Sequence, residues 1–212
     1  MKHRIKSYLL LLVLWYPVVV AAGTYDNMLQ AIEIDDHRTV SELLKRGVDV
    51  DTVNPKGESI LMLAARSGKP AVVKTLLAAR PKLDARNAQG DTALMLAAIT
   101  GRADIVKLLL DSGATVNHPG WTPLIYSAVN NHVEVARLLL GRGAQVNATA
   151  QNGMSALMMA AREGHMPMVL LLLEHGADAN YTSTLGYNAL GLAAERGRRD
   201  VTELLTRAGA RR

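Results

Sequence analysis

The stretch Gly90-Asp91-Thr92-Ala93-Leu94-Met95-Leu96-Ala97-Ala98-Ile99-Thr100-Gly101, continued by Arg102-Ala103-Asp104-Ile105-Val106-Lys107-Leu108-Leu109-Leu110-Asp111-Ser112-Gly113-Ala114-Thr115-Val116-Asn117, decides the fold of this 212-residue chain. Thr92 supplies the hydroxyl that a helix N-cap needs. Leu94, Ala97 and Ala98 follow at spacings of three and four, which puts them on one helical face. The paired alanines allow a neighbouring helix to approach closely. Gly101 stands where a helix ends in a left-handed residue. A second helix is expected from about Ala103 to Asp111, burying Ile105, Val106, Leu108 and Leu109, with Gly113 closing it. From Val116 to the next turn glycine the chain reads as a turn between two short extended pieces.

The same block recurs. Its opening glycines are Gly57, Gly90, Gly120, Gly153 and Gly186, at spacings of 33, 30, 33 and 33. Its closing pairs are Gly113-Ala114, Gly143-Ala144, Gly176-Ala177 and Gly209-Ala210, at spacings of 30, 33 and 33. Two landmarks in one phase predict a solenoid, in which each unit buries its apolar face only against its neighbours. Such a chain presents a long surface rather than a central pocket.

In its motifs the block resembles the ankyrin repeat family, whose pattern is roughly G-x-T-P-L-H-x-A-A-x-x-G-H, a leucine-rich helix, then G-A-x-x-N. Thr122-Pro123-Leu124, Gly164-His165, Gly113-Ala114-Thr115-Val116-Asn117 and Gly143-Ala144-Gln145-Val146-Asn147 carry the likeness. The family's proline is replaced by Ile60, Ala93, Ala156 and Ala189. Its histidine is replaced by Met62, Met95, Ile125, Met158 and Gly191, which is expected to exchange a polar network at the helix start for apolar packing. The resemblance implies an all-α solenoid of stacked helix-turn-helix units with short β-hairpin fingers. The expected units are a degenerate capping repeat at 23–53 and repeats at 54–86, 87–117, 118–149, 150–182 and 183–212.

Ahead of the array, Lys2, Arg4 and Lys6 precede an apolar run from Tyr8 to Ala22, ending Val19-Val20-Ala21-Ala22-Gly23. This is the pattern of a cleaved signal peptide at residues 1–22, cut after Ala22 with Ala21 and Gly23 as neighbouring sites. The run is shorter than the ~20 residues of a membrane span, and Pro17 interrupts it. No stable membrane insertion is therefore expected after cleavage. Without Lys2, Arg4 and Lys6, 21 of the 24 basic residues remain against 19 acidic ones, and the two signs alternate along the repeats. That balance argues against a nucleic-acid partner. The chain has no cysteine, consistent with an exported protein whose core needs no disulfide staples. By resemblance, a leader joined to an ankyrin array implies a periplasmic protein of a Gram-negative bacterium. A capped array implies no obligatory oligomer, so a monomer is expected.

The residues hold no catalytic signature, so no enzyme, cofactor or metal is expected. Gly153-Met154-Ser155-Ala156-Leu157 lacks the second glycine of a nucleophile elbow. His37, His118, His132, His165 and His175 form no pair at metal-ligand spacing. His132 and His165 share one repeat position, where the family's histidine hydrogen-bonds at the helix junction. Met62, Met95 and Met158 share another, which packing explains. Met154 follows a turn glycine and is expected to be exposed. With Met166 and Met168 it opens an alternative, a metal- or oxidant-handling protein that uses exposed thioethers.

The expected recognition surface is the concave face. By resemblance it is formed from the finger tips Glu58, Asp91, Trp121, Met154 and Tyr187 and from the ends of the inner helices. The tips change from acidic to large and apolar along the chain. Ile99 and Val129 add apolar surface, and Arg162 flanks it. From the closing Asn or Asp to the next turn glycine the separation is six in four junctions, but Asn117 to Gly120 is only three. The finger His118-Pro119-Gly120-Trp121 must be clipped. A notch is expected there, with Trp121 at its wall and Tyr126 on the adjacent helix. The candidate partner-binding residues are thus Trp121, Tyr126, Met154, Tyr187, Ile99, Val129 and Arg162. The partner is an unidentified protein. The resemblance implies an accessory factor of an exported enzyme, including enzymes of oxidative-stress defence, or an immunity protein against an exported toxin.

Overall fold

The computed structural model describes residues 23–211; the leader assigned to residues 1–22 lies outside the described residues. The described residues form helices in two rows. The inner row holds α1 (23–33), α3 (Ile60–Ser67), α5 (Ala93–Ile99), α7 (Pro123–Val129), α9 (Ala156–Glu163) and α11 (Ala189–Glu195). The outer row holds α2 (His37–Lys45), α4 (Pro70–Ala78), α6 (Ala103–Asp111), α8 (Val133–Gly141), α10 (Met166–Glu174) and α12 (Arg199–Arg207). Helices α3, α5, α7, α9 and α11 stack successively, and the outer helices do the same less closely. The core runs the length of the array between the rows. Ala64, Ala65, Ala97, Ala98, Ala160 and Ala161 are fully enclosed between inner helices, where a larger side chain would hold the helices apart. Val106, Leu109, Ala136 and Leu139 seal the outer row. Leu110 is buried where Leu108 was expected; Leu108 is half-buried.

Each inner helix from α3 onward starts on a side-chain cap. The N–H groups of Met62, Met95, Ile125, Met158 and Gly191 donate to Ser59, Thr92, Thr122, Ser155 and Asn188, at 2.7–3.3 Å. The expected loss of the polar network at these starts is corrected in two repeats. The N–H of Ser59 and of Thr92 each donate to the thioether sulfur of Met62 and Met95, at 3.4 Å. A thioether is a weak acceptor, yet here it satisfies a buried amide that apolar packing alone would leave orphaned.

The fingers are shorter than β-hairpins. In four of them the turn glycine (Gly57, Gly90, Gly153 or Gly186) donates to the carbonyl three residues back, and one further backbone bond closes the turn. Among the described residues only two isolated antiparallel bridges form, Val53 with Ser59 and Thr149 with Ser155. Ser59 and Ser155 are already helix caps, so a strand ladder has no residues in which to extend.

Neighbouring units are locked by a repeated side-chain bond. Asp51, Asp84, Asn117, Asn147 and Asn180 accept from the backbone N–H of Lys82, Thr115, Gln145, Asp178 and Arg211, at 2.8–3.0 Å. The sequence separation is 31 in four cases and 28 at Asn117, so the three-residue deletion shortens a finger and leaves the stack in register. Asn147 also donates to the Gly176 carbonyl at 3.2 Å. Asn147→Ala removes both bonds and should cost about 1–2 kcal/mol. In thermal unfolding, Asn147→Asp should lose less, because it keeps the acceptor. Equal losses for the two variants would show that the acceptor bond contributes nothing.

Candidate functional site

The clipped finger differs from its neighbours in its backbone bonds. Neither backbone bond of the other fingers forms between Asn117 and Trp121 among the described residues. Trp121 stacks on Tyr126 with ring centroids 5.2 Å apart and planes at 29°. Offset stacking of this kind holds both rings in place. Both are half-buried. The Tyr126 hydroxyl donates to Asp91 Oδ1 at 2.6 Å, across to the preceding finger. Burial, then this bond, then the charge of Asp91 hold the phenol well above its ordinary range, so Tyr126 stays protonated and keeps donating. Tyr126 replaces the Leu63, Leu96, Met159 and Leu192 of the other inner helices. Asp91 was expected only as a finger tip and not among the candidate partner-binding residues. An acidic tip opposite the only tyrosine at that helix position was the available signal.

The clipped finger also carries His118, whose side chain is 8% exposed. Its Nδ1 sits 3.0 Å from Arg86 Nη2, which can only donate, so the ring proton is on Nε2. Nε2 is enclosed without a hydrogen-bond partner, 3.8 Å from Asp84 Oδ1. Burial and the Arg86 charge push the pKa down against the opposing pulls of Asp84 and of the Thr115 backbone. The folded state therefore takes up this proton less readily than the unfolded chain. His118 should subtract stability as pH falls through the ordinary histidine range near ~6.5. The melting midpoint is expected to drop between pH 7.5 and 5.5, and a His118→Gln chain should show a flatter profile. Identical profiles would remove His118 from this account.

A second locus lies further along the inner row. Asn152, Met154, Arg162, Leu185, Tyr187, Leu192, Glu195 and Arg196 line an open concavity of about 240 Å³. Leu185 is 66% and Tyr187 45% exposed, both on the last finger. The structure thus gathers Met154, Arg162 and Tyr187 at one place and Trp121 and Tyr126 at another, on α7, α9, α11 and their fingers. Arg162 Nε donates to Glu163 at 2.9 Å, which steadies its guanidinium.

Ile99 and Val129 have a different part. Both side chains are half-buried. Their carbonyls accept from the next repeat, Ile99 from His132 Nε2 at 3.1 Å and Val129 from His165 Nε2 at 2.9 Å. Arg198 reaches the Arg162 carbonyl in the same way, at 3.2 Å. These bonds satisfy carbonyls that a helix end leaves open, so the two histidines hold the junctions together.

Three expectations about exposure are corrected. Met154 is 6% exposed, because its side chain turns under the last finger into the core instead of out from its own. Met168 is fully enclosed and Met166 half-buried, so the thioethers that the metal- or oxidant-handling alternative relies on are not displayed. Glu58 is likewise buried. Burial alone would raise its pKa, but hydrogen bonds from Asn54 and Arg66 outweigh it and hold the carboxyl below the usual range. Among the described residues no helix is long and apolar enough to cross a membrane.

The architecture can now be set beside known proteins. No curated protein matches the sequence. Among solved structures, the chain is similar to a chain of the complex titled "Bd0816 Predatory Endopeptidase from Bdellovibrio bacteriovorus in complex with immunity protein Bd3460". The identity is 28% with a TM-score of 0.77, over 85% of this chain and 97% of that one. The ankyrin-repeat family model matches three times, over residues 28–119, 81–150 and 143–211. Those matches run through nearly all of the two-row array of capped inner helices, and the chain belongs to the ankyrin repeat family.

Proposed function

We propose that this chain is a non-enzymatic binding protein that docks through its concave face on an exported enzyme and blocks it, as an immunity partner does. The observation that carries the reading is the change in finger chemistry along the array. The buried, in-chain-paired Glu58 of the first finger gives way to exposed Leu185 and Tyr187 on the last, over a concavity edged by Arg162 and Arg196. Exposed apolar surface rimmed by polar groups marks an interaction site, and Tyr and Arg are favoured anchors there. The stacked inner helices hold these groups in place before contact, which limits the ordering cost of binding. The similarity to a chain from an endopeptidase–immunity protein complex supports the same reading. The basic and apolar leader at residues 1–22 supports an exported partner.

The test is a titration. The purified chain is added to the exported peptidases of its own cell, and peptide hydrolysis is followed. One peptidase should lose activity at an equimolar ratio and co-elute with the chain. If no exported peptidase is inhibited or bound, the immunity reading fails.

A further inference from the structure

The array itself shows what answers an acid at the residue after a turn glycine. In the first finger that acid is Glu58, and Arg66 from the end of α3 pairs with it. In the second finger it is Asp91, and the residue in the place of Arg66 is Ile99. No cation lies within ion-pair distance of Asp91 among the described residues. Asp91 Oδ1 is taken by Tyr126, and no described group donates to Oδ2. Arg86, on the same finger, is engaged elsewhere, with the Gly90 carbonyl and His118. Tyr126, whose hydroxyl meets the carboxylate, is stacked on Trp121, and Asp91, Trp121 and Tyr126 are all only half-buried, so each keeps some surface accessible. A partly desolvated carboxylate next to aromatic faces attracts a cation twice, by its charge and by the ring quadrupole.

We propose that the notch formed by Asp91, Trp121 and Tyr126 receives a cationic side chain of the partner protein, arginine in preference to lysine. A guanidinium can lie on an indole face while its fork meets a carboxylate, whereas an ammonium is a point charge. The incoming group takes the place that Arg66 fills in the first repeat. This inference rests on the concave face being the partner surface and names the chemistry of one contact in it.

The test needs no partner. In a full chain carrying Trp15→Phe, Trp121 is the single tryptophan and its emission reports on the notch. The probes are Nα-acetylarginine amide, Nα-acetyllysine amide and the uncharged isostere Nα-acetylcitrulline amide, at fixed ionic strength. A saturable change is expected with arginine amide, weaker with lysine amide, and at least about tenfold weaker with citrulline amide. Asp91→Asn should abolish the preference for charge. Tyr126→Phe, which keeps the stack and frees both oxygens of Asp91, should retain it or strengthen it. Equal responses to arginine and citrulline amides, or an unchanged preference in Asp91→Asn, would overturn the proposal. Failure of the peptidase titration with this preference intact would instead count against the immunity reading alone.

Discussion

Leu185→Ala combined with Tyr187→Ala is expected to weaken the complex with the inhibited enzyme while leaving the melting midpoint essentially unchanged. The separation of the two effects follows from burial. Both side chains project from the last finger at 66% and 45% exposure. The finger itself is held by backbone bonds, the Ser183 N–H to the Tyr187 carbonyl at 2.8 Å and the Gly186 N–H to the Ser183 carbonyl at 2.9 Å, and alanine keeps both. Exposed substitutions of this kind change stability by no more than about 0.5 kcal/mol. A tyrosine anchor at the centre of an interface contributes about 2 kcal/mol or more, with leucine adding less. The expected loss is about 2–3 kcal/mol, roughly 30- to 150-fold in Kd. Calorimetric titration of wild type and double variant against the same enzyme measures it. An unchanged Kd would move the contact surface away from the last finger, and a collapsed midpoint would show that these side chains support the fold.

The second large effect concerns a junction. Gly101→Ala should destabilise the array considerably more than Gly113→Ala. Both glycines have positive φ, +70° and +92°, so alanine meets the same backbone penalty of about 1 kcal/mol in each. Around Gly113 a new Cβ finds nothing within 4 Å. At Gly101 it would lie 2.5 Å from His132 Nδ1. The imidazole must then move, and its bond to the Ile99 carbonyl goes with it. That adds at least about 1 kcal/mol for the lost bond and more for the displaced ring. Gly101→Ala should therefore cost about 2–4 kcal/mol, against about 1 kcal/mol at Gly113. For a chain of this size each kcal/mol lowers the midpoint by roughly 2–4 °C. Equal midpoints for the two variants would mean that His132 relocates without cost and is not a junction clamp.

Much of this architecture is legible in the residues. The phase of the glycines and of the Gly-Ala pairs set the helix pairs, and Thr92 marks a helix start that the structure caps as expected; Thr122 and Ser155 cap the equivalent helices. The shared repeat position of His132 and His165, with the family resemblance, marks them as structural, and both bond to a carbonyl of the preceding repeat. The three-residue deficit between Asn117 and Gly120 foretold a clipped finger with Trp121 beside Tyr126. All of these are local or strictly periodic features, carried by single residues at fixed offsets.

Features that depend on the neighbouring repeat were harder to read. Met154 looked exposed because residues after a turn glycine usually are. Only the position of the next finger shows that it is covered. Glu58 looked like a surface acid, and only the packing of α3 under its finger brings Arg66 and Asn54 to it. Asp91 was read only as a finger tip, because its partner, Tyr126, is 35 positions away. The sulfurs of Met62 and Met95 act as capping acceptors, which no pattern of apolar residues announces.

The amino-acid sequence by itself thus determined the solenoid, its helices, its caps and the place where one finger is short, because each of these follows from periodicity and backbone preference within a single unit. Which tips are covered, which acids are answered by a cation and which aromatic faces remain open was decided only by tertiary structure. Those properties belong to the gap between successive repeats, where a side chain from one unit meets whatever the next unit places opposite it.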